Sequence, residues 1–175
     1  VVGVAADPAG GYWEVGADGG IFAFGAPFDG SLSGWRLRAP IVGMAATADG
    51  GGYWEVDSQG HVANFGDAAN DGSIGGQLLD APVVAMAAAP DGGGYWEVAS
   101  DGGIFAFGDA VFDGSMGGRP LDAPVVGIAP TPDGGGYWEV ASDGGIFAFG
   151  DAPFYGSTGG RRLDAPVVGL TRVGT

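Results

Sequence analysis

The tetrad Tyr-Trp-Glu-Val occurs four times in this chain, at Tyr12, Tyr53, Tyr95 and Tyr137, with spacings of 41, 42 and 42 residues. Aligned on it, every other feature falls into register. An apolar run precedes each tetrad: Val1-Val2-Gly3-Val4, Ile41-Val42-Gly43-Met44, Val83-Val84-Ala85-Met86 and Val125-Val126-Gly127-Ile128. A turn follows it at Asp18-Gly19, Gln59-Gly60, Asp101-Gly102 and Asp143-Gly144. Next comes Ile21-Phe22-Ala23-Phe24, copied at Ile104 and Ile146 and weakened to Val62-Ala63-Asn64-Phe65 in the second copy. A Phe-Asp-Gly-Ser type segment and a polar or arginine-bearing loop then lead to Ala-Pro. The copies run over residues 1–40, 41–82, 83–124 and 125–166 of a single domain spanning 1–175, and residues 167–175 begin the apolar run a fifth time. Self-similarity at this period means one supersecondary unit per repeat, unable to bury its apolar surface alone.

Each unit reads as strands. The apolar run does not alternate cleanly, which predicts a short strand buried on both faces. Tyr-Trp-Glu-Val alternates, placing Trp and Val on one face and Tyr and Glu on the other. Asp-Gly predicts a tight hairpin of the primed-turn type, Ile-Phe-Ala-Phe the partner strand, and Phe-Asp-Gly-Ser a short outermost fourth strand. No window carries a 3.6-residue period, so almost no helix is expected. Successive antiparallel strands exclude a parallel β-helix, and four copies do not suit threefold folds. A β-propeller of four blades of about 42 residues fits the period and the strand count. The alternative is an arc of a larger ring or array formed with other chains, because the fifth apolar strand exceeds what a four-blade ring needs.

The binding energy between units is expected to centre on Trp13, Trp54, Trp96 and Trp138, packed with Phe24, Phe65, Phe107 and Phe149. A buried indole removes about 150–250 Å² from water, worth roughly 4–6 kcal/mol before entropy is charged against it. Small residues beside it, such as Ala106 and Gly108, would let neighbouring sheets approach.

Composition narrows the function classes. Glycine supplies 39 of 175 residues without a three-residue period, which points to many tight turns rather than collagen. Lysine is absent, and 21 acidic residues against six arginines leave a formal net charge of −15. Such a surface repels nucleic acid and anionic membranes. There is no cysteine, so no disulfide framework or thiolate metal site is expected. No stretch approaches the roughly 18 apolar residues of a membrane-spanning helix. The abrupt start at Val1-Val2-Gly3 reads as a mature product or an excised domain.

The order Gly-Ile-Ala, Pro-Asp-Gly, aromatic strand, Ser-Asp-Gly-Gly, Ile-Phe-Ala-Phe over Gly127 to Phe149 is similar to the blade grammar of NHL-type and YVTN-type β-propellers. More closely, Gly-Gly-Tyr-Trp-Glu-Val-Ala-Ser-Asp-Gly-Gly-Ile-Phe-Ala-Phe-Gly-Asp-Ala (Gly135 to Ala152) resembles a repeat of secreted actinobacterial proteins, often appended to cell-wall hydrolases. The resemblance spans the whole chain. It implies a secreted or cell-surface accessory module, and it transfers no catalytic motif. Copy two departs at Gln59, His61 and Asn64, so its unit is expected to be the least regular.

Glu14, Glu55, Glu97 and Glu139 are the only glutamates in the chain. They suit either a carboxylate ring holding a cation such as calcium, or a latch accepting hydrogen bonds from the next unit, which is the preferred reading. Tyr12, Tyr53, Tyr95 and Tyr137 share their strand face, and a Tyr/Glu face can hold a sugar, giving a lectin-like alternative with four equivalent sites. Ordinary packing is preferred there too. The recurrent Asp67, Asp109, Asp151, Asp80, Asp122 and Asp164 form no contiguous calcium loop and read as turn caps. Arg36, Arg38, Arg119, Arg161 and Arg162 are expected to pair with them, and the lone His61 to be solvated. Nothing here assembles a catalytic constellation. The expectation is a non-catalytic scaffold or binding module without a cofactor. Its partners would be a cell-wall or extracellular glycan or protein, or a second copy met through the terminal strands.

Overall fold

The computed structural model describes residues 1–171. Twelve strands form four three-stranded antiparallel sheets. The first holds β1 (Gly3–Ala6), β2 (Tyr12–Val15) and β3 (Ile21–Phe24). The second holds β4 (Ile41–Ala46), β5 (Gly52–Asp57) and β6 (Val62–Gly66). The third holds β7 (Val83–Ala88), β8 (Gly94–Ala99) and β9 (Ile104–Gly108). The fourth holds β10 (Val125–Pro130), β11 (Gly136–Ala141) and β12 (Ile146–Gly150). The described residues contain no helix, and none is long and apolar enough to cross a membrane.

Within each sheet the tetrad strand is central, and the register explains its use. Trp96 pairs with Ala87 on one side and Ala106 on the other. Directly opposite residues in an antiparallel sheet share a face, so two alanines clear the space for one indole. Ala129 and Ala148 flank Trp138 in the same way, as do Ala5 and Ala23 for Trp13. On the reverse face Tyr95 meets Phe107, ring centroids 5.6 Å apart. The first strands of the last three sheets carry a bulge, at Ile41/Gly43, Val83/Ala85 and Val125/Gly127. A bulge breaks alternation, which accounts for apolar runs that do not alternate.

The sheets stack in chain order, β1 on β4, β4 on β7 and β7 on β10, and among the described residues β1 and β10 share no comparable contact. Small residues make the approach possible: a Cβ added to Gly3 would lie 3.5 Å from the Gly43 Cα, and one added to Gly43 would lie 3.6 Å from the Ala85 Cα. The backbone N–H groups of Ile41, Val83 and Val125 donate to Ala17, Ser58 and Ser100 of the preceding hairpin at 2.9–3.1 Å. No single core serves the molecule. Three clusters lie in the three joints, one joining Trp13 to Tyr53, one Trp54 to Tyr95 and one Trp96 to Tyr137.

Several expectations need correcting. The hairpin turn is not of the primed type, which requires positive φ at the first central residue or at both. In each hairpin only the glycine after the central pair, Gly19, Gly60, Gly102 or Gly144, takes positive φ (72–80°), and no residue other than glycine has positive φ. Gly19 N–H donates to the Gly16 carbonyl, while the Asp18 side chain caps Gly20 N–H. The Phe-Asp-Gly-Ser segments form no fourth strand, because their backbone is used across the joint, as described below. The second unit is as regular as the third and fourth. Its odd residues are absorbed locally: His61 Nδ1 sits 3.0 Å from Asp57 Oδ2, and Asn64 Nδ2 donates to the Ala68 carbonyl at 3.0 Å. His61 is therefore partnered. That contact is the only one at ion-pair distance among the described residues, charged only with the imidazole protonated, and no arginine there reaches an aspartate.

Candidate functional site: the joints and an asymmetric cleft

The tetrad side chains meet across each joint in one pattern. The indole of one sheet lies against the tyrosine of the next, with Trp13–Tyr53, Trp54–Tyr95 and Trp96–Tyr137 centroids 5.4–5.6 Å apart and tilted by 50–55°. Each indole N–H donates to a carbonyl of its own loop: Trp13 to Pro27, Trp54 to Ala69, Trp96 to Val111 and Trp138 to Pro153, at 2.6–2.8 Å. Each buried tyrosine hydroxyl reaches back into the Asp-Gly segment of the preceding unit. Tyr53 donates to the Gly30 carbonyl at 2.6 Å and accepts from Asp29 N–H at 3.2 Å. Tyr137 does the same with Gly114 and Asp113, and Tyr95 donates to Gly72. The latch anticipated for glutamate is thus made by tyrosine.

This clasp is testable by a single atom. Tyr95→Phe is expected to cost about 1 kcal/mol, the usual net worth of such a bond, with Gly72 left unsatisfied. No described residue clasps the Tyr12 hydroxyl, so at protein concentrations too low for association Tyr12→Phe should leave the urea midpoint unchanged. Equal effects at both positions would show that the hydroxyl contact carries no stability.

The glutamates occupy the same joints. Glu55, Glu97 and Glu139 are fully buried, and none of their oxygens makes a well-formed hydrogen bond; only Glu97 has a backbone N–H, that of Ile74, close enough to act on its charge. Their carboxyls face the hairpin glycine of the preceding unit: a Cβ on Gly19, Gly60 or Gly102 would fall 2.8–3.1 Å from an Oε2. Burial pushes all three up to about 8, with smaller contributions from Asp18, Asp57 and Asp101 respectively, and the Ile74 backbone opposes part of the rise at Glu97. Burial also raises Tyr53, Tyr95 and Tyr137, the last to about 12. The glutamates lie in separate joints rather than converging, and no group of three or more acidic or histidine side chains among the described residues could hold a metal ion. Tyr12 and Glu14 differ, because no sheet of the described residues covers their face: Tyr12 is 42% exposed and Glu14 half-buried.

Of the predicted core residues, Trp13, Trp54 and Trp96 are buried and Trp138 is half-buried. Phe65, Phe107 and Phe149 pack against the clusters, whereas Phe24 is 46% exposed and stacks on Tyr12 at 5.0 Å.

The fourfold pattern hid a second site. Trp35 stands where the other copies have Gln77, Arg119 and Arg161, and Arg38 where they have Asp80, Asp122 and Asp164. Trp35 is 73% exposed. It borders a cleft of about 370 Å³ with Asp18, Leu37 and Arg38, and Arg38 also borders a neighbouring cleft of about 510 Å³ with Gln59, His61 and Gln77. Departures from the repeat in copies one and two are thus neighbours in space. The signal was present in the alignment, as the tryptophan outside the tetrads and an arginine in an aspartate position.

No known family model matches the chain, and a search of curated proteins finds no relative.

Proposed function

We propose that this chain is a non-catalytic, propeller-type scaffold or binding module of the secreted actinobacterial repeat class, working outside the cell or at its surface. The observation that carries the reading is the fate of the repeated tyrosines and glutamates. In three of four copies they are closed inside joints, where no substrate reaches them. Recurrent side chains therefore serve assembly, and recognition is left to loops. The net charge of −15 suits a solvated module without nucleic-acid partners. The four sheets are blades of an arc, with each inner strand against the next. An activity screen on cell-wall polymers tests this reading. Turnover that Glu97→Gln abolishes without unfolding the protein would replace it with an enzyme.

Glycan binding has a specific observation in its favour, the exposed Trp35 beside Arg38, His61 and the two adjoining clefts. An indole face stacks on a sugar ring while the arginine and imidazole hydrogen-bond its hydroxyls. On a glycan array the protein is expected to bind a cell-wall polysaccharide and to lose at least about tenfold in affinity on Trp35→Ala, a stacking loss of about 1.4 kcal/mol. Binding unaffected by Trp35→Ala, or silence across the array, would remove this reading.

A further inference from the structure

Every internal joint has a plug and a socket. The plug is the tyrosine and glutamate of the central strand with the phenylalanine beside them, as in Tyr53, Glu55 and Phe65. The socket is the preceding indole, the hairpin glycine and the Asp-Gly loop. The fit is close: a Cβ on Gly30, Gly72 or Gly114 would fall 2.7–3.4 Å from the ring of Phe65, Phe107 or Phe149.

At the two ends of the arc these parts lack counterparts. The first sheet shows a bare plug, with Tyr12 and Phe24 exposed and stacked on one another. The fourth sheet shows an empty socket. Trp138 is only half-buried, and Gly156, in the position of Gly30, Gly72 and Gly114, has open space above it. Here the hairpin glycine Gly144 faces Thr158 Oγ1, where the earlier units carry the apolar Leu32, Ile74 and Met116. The one socket without a resident glutamate thus holds a hydroxyl, which donates to the Gly144 carbonyl at a long 3.4 Å and is able to turn to an incoming carboxyl.

We propose that the two ends are halves of one interface, and that the fourth sheet of one chain receives the first sheet of a second copy, head to tail. The argument is continuity: the same joint is built three times inside the molecule from the same residues. It rests on the scaffold reading, whose partner it names. Such a heterologous contact closes into a ring if its rotation permits, and otherwise extends. Two copies would make eight blades, within the propeller range.

Residues 167–170 already lie where the incoming first strand would sit. Val167 N–H donates to the Ser142 carbonyl at 2.9 Å, and Gly169 and Leu170 pack on Gly127 as Gly43 and Met44 pack on Gly3. This tail forms no ladder, whereas β1 is held by four register pairs to β2 and by Val2 N–H on the Val15 carbonyl at 2.8 Å. The tail is the weaker occupant and yields to β1. It therefore opposes association.

Sedimentation of the whole chain over a concentration series, in salt sufficient to screen its net charge, tests the proposal without any ligand or substrate. Failure here leaves the scaffold reading standing, and turnover by the protein would not disturb the joint. The wild type is expected to self-associate. Tyr12→Arg and Thr158→Arg, both at exposed positions, should each give a monomer that melts like the dilute wild type, and an equimolar mixture of the two should form a dimer and go no further. Val167→Asp, which loosens the tail, should tighten association several-fold. A wild type that stays monomeric, single variants that still associate, or a mixture that does not pair would overturn the interface. Weaker association of Val167→Asp would overturn the displacement of the tail.

Discussion

Replacing Trp96 with alanine is expected to destabilise the protein by about 3–5 kcal/mol, a large share of the total stability of a domain this size. The indole is 1% exposed, lies between Ala87 and Ala106, faces Tyr137 and donates to the Val111 carbonyl. Its removal opens a cavity in the joint between the third and fourth sheets and leaves a carbonyl unpaired. Trp54, in the middle joint, should behave alike. Trp138 is the internal control, because the same side chain in the same register is covered by no following sheet. Its alanine variant should lose clearly less. Chemical denaturation of the three variants checks the order, and a Trp138 effect equal to that of Trp96 would mean that the tryptophans stabilise their own sheets rather than the joints.

Stability should fall as pH rises from 5 to 8, and Glu97→Gln should flatten that slope. A carboxyl that titrates near 4.5 when unfolded is raised to about 8 in the folded chain. Between these values the native state holds the proton that the unfolded state releases, so stability declines with pH. Below 4.5 both states are protonated and the penalty vanishes; above 8 both are ionised and it levels off. For one such group the difference between pH 5 and pH 8 is on the order of 3–4 kcal/mol. Glutamine keeps the shape and cannot ionise. The wild-type and Glu97→Gln stability curves should therefore converge near pH 5 and separate towards pH 8, with the variant higher. Acidification also relieves the general repulsion of a chain at −15, but that contribution is shared by both proteins. Parallel curves would show that the Glu97 carboxyl is solvated or paired in the folded state.

Much of the architecture was legible because two periods coincide in the chain. The two-residue alternation of Tyr-Trp-Glu-Val assigns its faces, and the 42-residue recurrence assigns its neighbours. Trp96 could thus be placed in a joint between units, on the strand face opposite Tyr95, although its contact with Tyr137 was not anticipated. Features that depend on how a loop closes were less accessible. Asp18-Gly19 has the composition of a primed turn, yet the loop from Gly16 to Gly20 needs a left-handed conformation only at its glycine. Asp113-Gly114 looks like the end of a strand, but its backbone clasps Tyr137 instead of pairing with β9. That the buried glutamates lack a well-formed hydrogen bond could not be read either, because a carboxylate beside a tyrosine suggests a bond that the tyrosine spends elsewhere. The cleft was hardest. Trp35 and Arg38 belong to one repeat and Gln59 and His61 to another, and only stacking of the sheets makes them neighbours.

The handedness of the joint, indole forward and phenol backward, has a consequence for how such a protein changes over time. Any unit can follow any other, since each offers the same surface on its leading side and accepts the same surface on its trailing side. Exchange between copies within the gene would add or delete whole units without exposing a mismatched seam, and energetics set by nearest neighbours would tolerate it. Length is then the easily varied property, while a loop such as the one bearing Trp35 is free to diverge in a single copy.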